Sequence, residues 1–298
     1  MAAGTPSIDG LAVVDKEAGW TSHDVVAKAR GILHTRKIGH SGTLDPDATG
    51  VLLLGVGRAT RLLRFLHELP KSYTAEIVLG TETSTLDASG TVVATHDMGD
   101  VTLSRARAAA ADLTGDILQV PPMVSAIKVD GQRLHALARQ GVEVERTPRP
   151  VTVHRFHLDG TDDPTVVRAE VVCSSGTYVR SLAADLGRAL GGGAHLRALR
   201  RTAIGPFTLS DAHPLDELVV LPLEATVGAL DRVTVDEELA AAVAHGKVLE
   251  RAALGPAVGA GDGPWAVFDA DGALLAVYEP HRATTVKPAV VVAAQGDG

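Results

Sequence analysis

Residues 40–57, HSGTLDPDATGVLLLGVG, place a charged turn directly against an apolar run. Gly42, Pro46 and Gly50 are typical turn residues, so the first eleven positions are predicted to form a loop. The VLLLGVG run that follows fits a buried strand or the start of a helix, because periodicity does not separate the two over so short a length. Asp45 is therefore predicted to lie close to the core.

The loop allows four interpretations from its residues alone. Asp-Pro is common in a tight turn. Asp45, Asp47 and Thr49 alternate as calcium ligands would, but the twelfth position of such a loop needs a bidentate Glu and here holds Val56. GVGRAT lacks the third glycine of a dinucleotide fingerprint, and no GxxxxGK[ST] occurs. Finally, a desolvated aspartate whose pKa rises unless a cation pairs with it can act as a nucleophile or general base.

The charge of the chain is unevenly distributed. The 298 residues are 45% apolar, which suggests one large domain or a large and a small one, and the net charge of −8 argues against a nucleic-acid partner. However, residues 207–298 hold 14 acidic and 5 basic side chains, so the rest of the chain is nearly neutral. Basic groups within residues 20–64 and at Arg197, Arg200 and Arg201 can attract phosphate locally, the alternative being ordinary solvated helix surface.

Cysteine content and hydropathy bear on the cellular compartment, on metal binding and on membrane association. Cys173 is the one cysteine, so no internal disulfide forms, and no Cys or His pair has metal-ligand spacing. The N-terminus lacks the pattern of a signal peptide, and no run approaches the ~18 apolar residues of a membrane span. We expect a cytoplasmic protein with no metal and no membrane association.

Helical and strand patterns are interspersed without strict alternation, which favours an α+β fold. The predicted helices cover 21–34, 58–69, 104–115 and 177–191, and a further helix is predicted after an Asp130–Gly131 turn and ends at Gly141. The predicted strands cover 11–15, 73–80, 91–96, 151–160 and 166–176, the last two as hairpin partners. In the tail, Asp271–Gly272 predicts a hairpin turn, and a closing strand follows at 287–293.

Six sequence blocks now occur in a specific order. They are VDKEAGWTSHDVV (14–26), GHSGTLDPDATGVLLLGVGRATR (39–61), KSYTAEIVLG (71–80), PPMVSAIKVDGQRLHALAR (121–139), CSSGTYVRSLAADLG (173–187) and GGGAHLRALRR (191–201). The series resembles the TruB-type tRNA pseudouridine synthases, which make pseudouridine 55 in the T arm of tRNA, over about residues 8–206.

The resemblance implies an α+β pseudouridine-synthase catalytic domain, whose mixed, mainly antiparallel central sheet is flanked by helices, and a small β-rich PUA-like C-terminal domain. The expected boundaries are 1–228 for the catalytic domain and 229–298 for the small one. Within the first, about 120–150 resembles an insertion that grips RNA. Three basic residues of this insertion are expected to contact phosphate: Lys128, Arg133 and Arg139.

The resemblance also implies the chemistry. The essential aspartate of the family falls on Asp45, which attacks the target uridine at ribose C1′ or at C6 of the base. The uracil detaches, rotates and is rejoined through C5. This is an isomerisation, so no cofactor or metal is expected. Asp47 falls where the family needs no acid and is interpreted as a turn residue.

Five further site residues follow from matching positions. Tyr73 is expected to stack on the flipped base, and its phenol is a candidate acceptor of the C5 proton. Arg180 is expected to pair with Asp45. Tyr178 and Leu199 line the uracil pocket, and His40 supports the RNA where the base has left the stack. Lys16 is ranked below these, as a phosphate or structural contact.

Alternative functions stay open at this point. The chain could be a tRNA-binding or tRNA-folding module in which chemistry is secondary, the catalytic subunit of a guide-RNA-dependent synthase, or a hydrolase that uses paired carboxylates. We expect a monomer that acts on the T arm of tRNA without a guide RNA or an obligate protein partner.

Overall fold

The computed structural model describes residues 8–125, 128–129, 132–133, 144–255, 258 and 261–292. Within these ranges five α-helices are present: α1 Ser22–Ile32, α2 Leu63–His67, α3 Leu103–Asp112, α4 Val179–Ala189 and α5 Glu237–Ala244. The strands of the first half are β1 Gly10–Lys16, β2 Ile38–Ser41, β3 Thr49–Val56, β4 Lys71–Leu79, β5 Thr81–Thr83, β6 Val92–Thr95, β7 Gly115–Gln119, β8 Lys128–Val129 and β9 Gln132–Arg133. Those of the second half are β10 Arg149–Gly160, β11 Val166–Cys173, β12 Ala194–Ile204, β13 Phe207–Thr208, β14 Asp231–Thr234, β15 Leu249–Glu250, β16 Trp265–Phe268, β17 Leu274–Pro280 and β18 Thr285–Val291.

The larger sheet runs in the order β1-β3-β12-β4-β11-β10-β7, with β2 on β3 and β13 on β12. Its described pairs are antiparallel except β3 with β12, which is parallel. A mixed, mainly antiparallel sheet flanked by helices is therefore confirmed. The VLLLGVG run is strand β3, buried on both faces, which explains why it reads as a continuous apolar run.

Helix α4 covers one face of this sheet. Its Leu182, Ala183 and Leu186 are buried against Val153 and Val171 of the neighbouring strands β10 and β11. The pattern at 177–191 predicted this amphipathic helix correctly, because its apolar residues recur at helical spacing. The start of α4 lies beside the loop between β2 and β3, since Arg180 of its first turn contacts Asp45 of that loop.

The C-terminal strands form a second sheet in the order β14-β16-β17-β18-β15, so the β-rich tail is confirmed. The predicted hairpin is β16 with β17, and β18 is the closing strand. This sheet shares a hydrophobic cluster with the part of the chain that carries the larger sheet, in which Ala59, Leu62 and Phe65 pack with Phe268 and Val277.

Two sequence predictions were wrong in detail. The helix predicted over 58–69 is a 3₁₀ turn, Gly57–Arg61, followed by the short helix α2. Ala59, Leu62, Phe65 and Leu66 are buried, a spacing that both a 3₁₀ turn and an α-helix allow, so the local pattern did not separate the two. The basic segment at 197–201 could have been solvated helix surface by its sequence, but it lies in the interior strand β12. Residues 134–141 of the helix predicted to end at Gly141 lie outside the described residues.

Candidate active site

The loop between β2 and β3 is held at both ends by one buried arginine. Arg201 on β12 is 1% exposed. It donates from Nη2 to the carbonyl of Gly42 at 2.9 Å and from Nε to the carbonyl of Val51 at 2.7 Å. Because these contacts lie before and after Asp45, they fix the loop that carries it.

The middle of the same loop is fixed by a buried lysine. Lys16 donates from Nζ to the carbonyls of Glu17, Trp20 and Pro46 at 2.7–2.9 Å. Burial lowers the pKa of Lys16 to about 8. Of the two roles expected for this residue, the geometry therefore fits the structural one, since the ammonium is turned inward onto backbone carbonyls.

Asp45 and Arg180 form a bidentate ion pair. Nε of Arg180 lies 2.9 Å from Oδ2 of Asp45, and Nη2 donates to Oδ1 at 3.0 Å. The arginine side chain is 4% exposed, whereas the aspartate is 42% exposed and opens into a cavity. Burial raises the pKa of Asp45, and the Arg180 guanidinium opposes that rise. The carboxylate is thus oriented, charge-paired and accessible.

Arg180 has three more partners, one of them an acid that the sequence did not single out. Nη1 lies 3.4 Å from Oδ2 of Asp87 and donates to the carbonyl of Thr85 at 3.2 Å. Nη2 also donates to the carbonyl of Val124 at 2.8 Å. Asp87 contributes to the raised pKa of Asp45 as a second negative charge. In the sequence it sits in a polar loop, TETSTLDASG, and carries no signal that separates it from turn residues.

Two adjoining cavities share Asp45, Arg180 and Leu199. The Tyr73 cavity has a volume of about 280 Å³. Its lining includes Lys71, Tyr73, Ser174, Thr177, Tyr178 and Arg201. The Asp87 cavity has a volume of about 290 Å³. Its lining includes Asp47, Thr85, Asp87, Ser89, Val124 and Arg197. The fold therefore brings five of the six predicted site residues around one pocket.

Both tyrosines of the Tyr73 cavity are held by polar neighbours. Burial raises the pKa of the Tyr73 phenol, against which Arg201 acts as a hydrogen-bonding cation. Burial also raises the pKa of Tyr178, whose hydroxyl is hydrogen-bonded to Ser125. Both phenols are thus neutral at physiological pH and oriented toward fixed partners.

His40 is placed apart from the cavity lining. It lies on β2, and its ring meets that of His23 edge-on with the centroids 5.3 Å apart. Burial, followed by the nearby His23 and Arg201, lowers the pKa of His40 to about 4. The ring is therefore neutral at pH 7, and Nδ1 has no partner among the described residues.

The basic group on β12 is largely neutralised. Arg197 pairs with Glu76 at 3.0 Å and Arg200 with Asp15 at 2.7 Å, while Arg201 is buried. The sequence left open whether these arginines attract phosphate or form solvated helix surface, because alternation along a strand and the acidic partners on β1 and β4 are invisible in the local pattern. Of the predicted phosphate contacts, Arg139 and the side chains of Lys128 and Arg133 lie outside the described residues.

The described parts of the chain hold no cluster of three or more His, Cys, Asp or Glu side chains arranged for a metal. Among the same residues, no helix has the length and apolar character that crossing a membrane requires.

Comparison with known proteins places the chain in a family. Residues 30–179 match the N-terminal domain of the TruB family of pseudouridylate synthases, and residues 180–250 match the C-terminal domain of tRNA pseudouridylate synthase B. The tRNA pseudouridine synthase B of Streptomyces griseus is 48% identical, with 95% of this chain and 97% of that protein aligned. That of Rhodococcus jostii is 50% identical, with 93% and 92% aligned.

Solved structures agree on the fold. A crystal structure of a Cbf5-Nop10-Gar1 complex contains a chain with a TM-score of 0.69 and 26% identity, covering 95% of this chain and 84% of that one. A chain of an H/ACA ribonucleoprotein bound to a substrate RNA has a TM-score of 0.70, and at 24% identity it supports the fold alone. The chain belongs to the TruB family of tRNA pseudouridine synthases, which are isomerases that modify RNA.

Proposed function

We propose that the protein converts uridine 55 in the T loop of tRNA to pseudouridine, with Asp45 as the essential nucleophile. The observation that carries this proposal is the bidentate contact between Asp45 and Arg180 at an open cavity that two tyrosines line. A carboxylate that is ionised, oriented and accessible is what attack on a uridine requires.

The reaction is balanced within the substrate. The bond between C1′ and N1 breaks, a bond between C1′ and C5 forms, and the C5 proton is lost while N1 gains one. Asp45 adds to C1′ or to C6 and leaves again, so no oxidant, reductant or group donor is consumed. Arg180 keeps the carboxylate ionised before attack and stabilises it when it is released.

The target base must leave the helical stack to reach Asp45. We assign Tyr73 to stacking on the extruded uracil, a contact worth ~1–3 kcal/mol. Burial raises the pKa of its phenol, so the phenol stays protonated and is not assigned as the acceptor of the C5 proton. Tyr178 and Leu199 enclose the base in the Tyr73 cavity. His40, neutral and half-buried beside the loop, supports the RNA at the gap that the base leaves.

We further propose that the enzyme acts in the cytoplasm as a monomer, without guide RNA. The identity of about half with proteins named tRNA pseudouridine synthase B supports this over the assemblies in which the structural neighbours were solved. The division into a catalytic domain, 1–228, a gripping insertion, about 120–150, and a PUA-like domain, 229–298, is part of the same proposal.

The test is to incubate the purified protein with an unmodified tRNA transcript, without cofactor or guide RNA, and to map pseudouridine by a specific label and mass spectrometry. We expect one label, at uridine 55, and none in a transcript with cytidine at that position. A label at another uridine would reject the site, and no label from protein that binds tRNA would favour the binding-module alternative.

A further inference from the structure

Gln119, the last residue of β7, forms an unusual contact with the start of helix α4. The side chain is 2% exposed. The backbone N–H of Tyr178 donates to its Oε1 at 2.8 Å, and its Nε2 donates to the carbonyl of Tyr178 at 3.2 Å. One side-chain amide thus satisfies both backbone groups of Tyr178, as a neighbouring strand residue would.

The residues after Gln119 continue this contact. Ser181 donates from its hydroxyl to the carbonyl of Val120 at 2.9 Å. Arg180 donates from Nη2 to the carbonyl of Val124 at 2.8 Å. The segment 119–124, which we call the brace, therefore binds three residues of the helix start, and two of them face the cavities.

The carbonyl of Tyr178 also accepts from the N–H of Leu182 at 3.0 Å, whereas its own N–H has Gln119 as partner. Tyr178 is the N-cap residue of α4, and its side chain makes no capping hydrogen bond. Its extended backbone sets where the phenol points, and it also sets the first turn, in which Arg180 reaches Asp45. A shift of Tyr178 would therefore move the wall of the Tyr73 cavity and the partner of the nucleophile together.

We propose that Gln119 is a positioning residue for the isomerisation, because its amide fixes the backbone of Tyr178 and through it the side chains of Tyr178 and Arg180. This inference rests on the function proposed for Asp45. The side-chain hydrogen bonds of Gln119 go to the backbone of Tyr178, so its loss is expected to change the geometry of the site without removing a side chain that lines the cavities.

Replacement of Gln119 by glutamate gives a signature that a general stabilising role lacks. A protonated carboxyl accepts from the Tyr178 N–H and donates to the Tyr178 carbonyl, as the amide does. An ionised carboxylate still accepts, but its second oxygen faces the carbonyl oxygen and repels it. The rate of Gln119→Glu relative to wild type must therefore fall as pH rises through the titration of that carboxyl.

The experiment measures single-turnover rates with saturating tRNA, and the Kd for tRNA, in wild type, Gln119→Leu, Gln119→Glu and Tyr278→Phe. The last variant removes one hydrogen bond, 2.8 Å to the carbonyl of Lys247, from a fully buried tyrosine in the C-terminal sheet. We expect Gln119→Leu to lose about 100-fold in rate, as a misplacement of ~1 Å does, with Kd changed less than about 2-fold. Tyr278→Phe should keep the wild-type rate.

A folded Gln119→Leu protein with the wild-type rate would overturn the inference. If that variant does not fold, a rate ratio for Gln119→Glu that is independent of pH would overturn it instead. The two levels remain distinguishable. Wild type without pseudouridine activity contradicts the proposed function, whereas active wild type, inactive Asp45→Asn and fully active Gln119 variants contradict the positioning role alone.

Discussion

A single residue, Arg180, connects Asp45 with Asp87 and with the carbonyl of Val124. A buried guanidinium must have its charge and its N–H groups satisfied, and here Asp45, Asp87 and the carbonyls of Thr85 and Val124 do so. The same contacts orient the guanidinium group of Arg180 toward Asp45. The position of Arg180 in GTYVR indicated the pairing from the sequence, whereas Asp87 could not be found there, because the contact is long-range and its local sequence is that of a turn.

We expect Arg180→Lys to lower the single-turnover rate by about 100-fold, because an ammonium keeps the charge but cannot bind both carboxylate oxygens. The rate of wild type should fall with decreasing pH at a higher pH than for an unperturbed aspartate, since the pKa of Asp45 is raised. The matched control is Arg155→Lys, at an exposed ion pair with Glu170, which should leave the rate unchanged. Equal rates for the two variants would contradict the role of the bidentate guanidinium.

His40 makes stability depend on pH. Its pKa is lowered to about 4 in the fold, against ~6.5 in the unfolded chain. Between these values the unfolded chain binds more protons, so the stabilising contribution is complete above pH ~6.5 and is lost as pH falls toward 4. We expect the free energy of unfolding to drop by about 2 kcal/mol more in wild type than in His40→Gln between pH 7 and pH 5.

Urea unfolding at the two pH values measures this difference. His154→Gln, at an exposed position of β10, is the control and should behave like wild type. An unchanged pH dependence in His40→Gln would show that the imidazole is already solvated in the fold.

Among the strands and helices, the parallel pairing of β3 with β12 positions the loop between β2 and β3. The apolar run of β3 predicted a buried element, and the structure decides for a strand because β1, β2 and β12 supply its hydrogen bonds. The arginines of β12 obscured the strand pattern of that segment, because the acidic residues that neutralise them are distant in sequence. Local patterns could therefore predict α4 and the tail hairpin, but not the interior strand whose polar side chains are satisfied by long-range contacts.

Gly50 allows the close approach of β3 to β12. Its φ is +100°, and a Cβ there would lie 2.1 Å from the carbonyl oxygen of Arg201. We expect Gly50→Ala to lower the free energy of unfolding by at least about 3 kcal/mol, because either the backbone of β12 must move or residue 50 must give up its positive φ. Gly31→Ala is the contrasting variant in the last turn of α1, where a Cβ meets nothing within 4 Å. It should stabilise by up to about 0.5 kcal/mol, less than in a helix interior.

Thermal and urea unfolding of both glycine variants measures these effects. The opposite signs separate a steric requirement from a general sensitivity of the chain to alanine. A Gly50→Ala protein as stable as wild type would contradict the close approach of the two strands.

At the scale of the whole molecule, the two sheets are joined by a shared core. Ala59, Leu62 and Phe65 of the catalytic part are buried with Leu223 and residues of the C-terminal sheet. Arg58 adds a hydrogen bond of 2.7 Å to the carbonyl of Val292. The composition shift in the sequence predicted a separate small tail, but its role as a cover for α2 follows only from the packing.

Phe65→Ala tests this cover. Phe65 is 8% exposed in the shared cluster, and its truncation should cost about 3 kcal/mol of the free energy of unfolding. Val93→Ala, at a side chain that is 60% exposed on β6, should change it by less than about 0.5 kcal/mol. Equal stability of the two variants in urea would indicate that the sheets do not share a core in solution.

Asp45, and not the neighbouring acid, is proposed to perform the isomerisation. Asp47 is exposed, lies in the same loop, and makes a matched control for charge and for loop structure. The most direct measurement is the single-turnover formation of pseudouridine in a tRNA transcript by wild type, Asp45→Asn and Asp47→Asn. We predict no product from Asp45→Asn, even with tRNA bound at wild-type affinity, and a near wild-type rate from Asp47→Asn. Product from a folded Asp45→Asn protein would contradict the account.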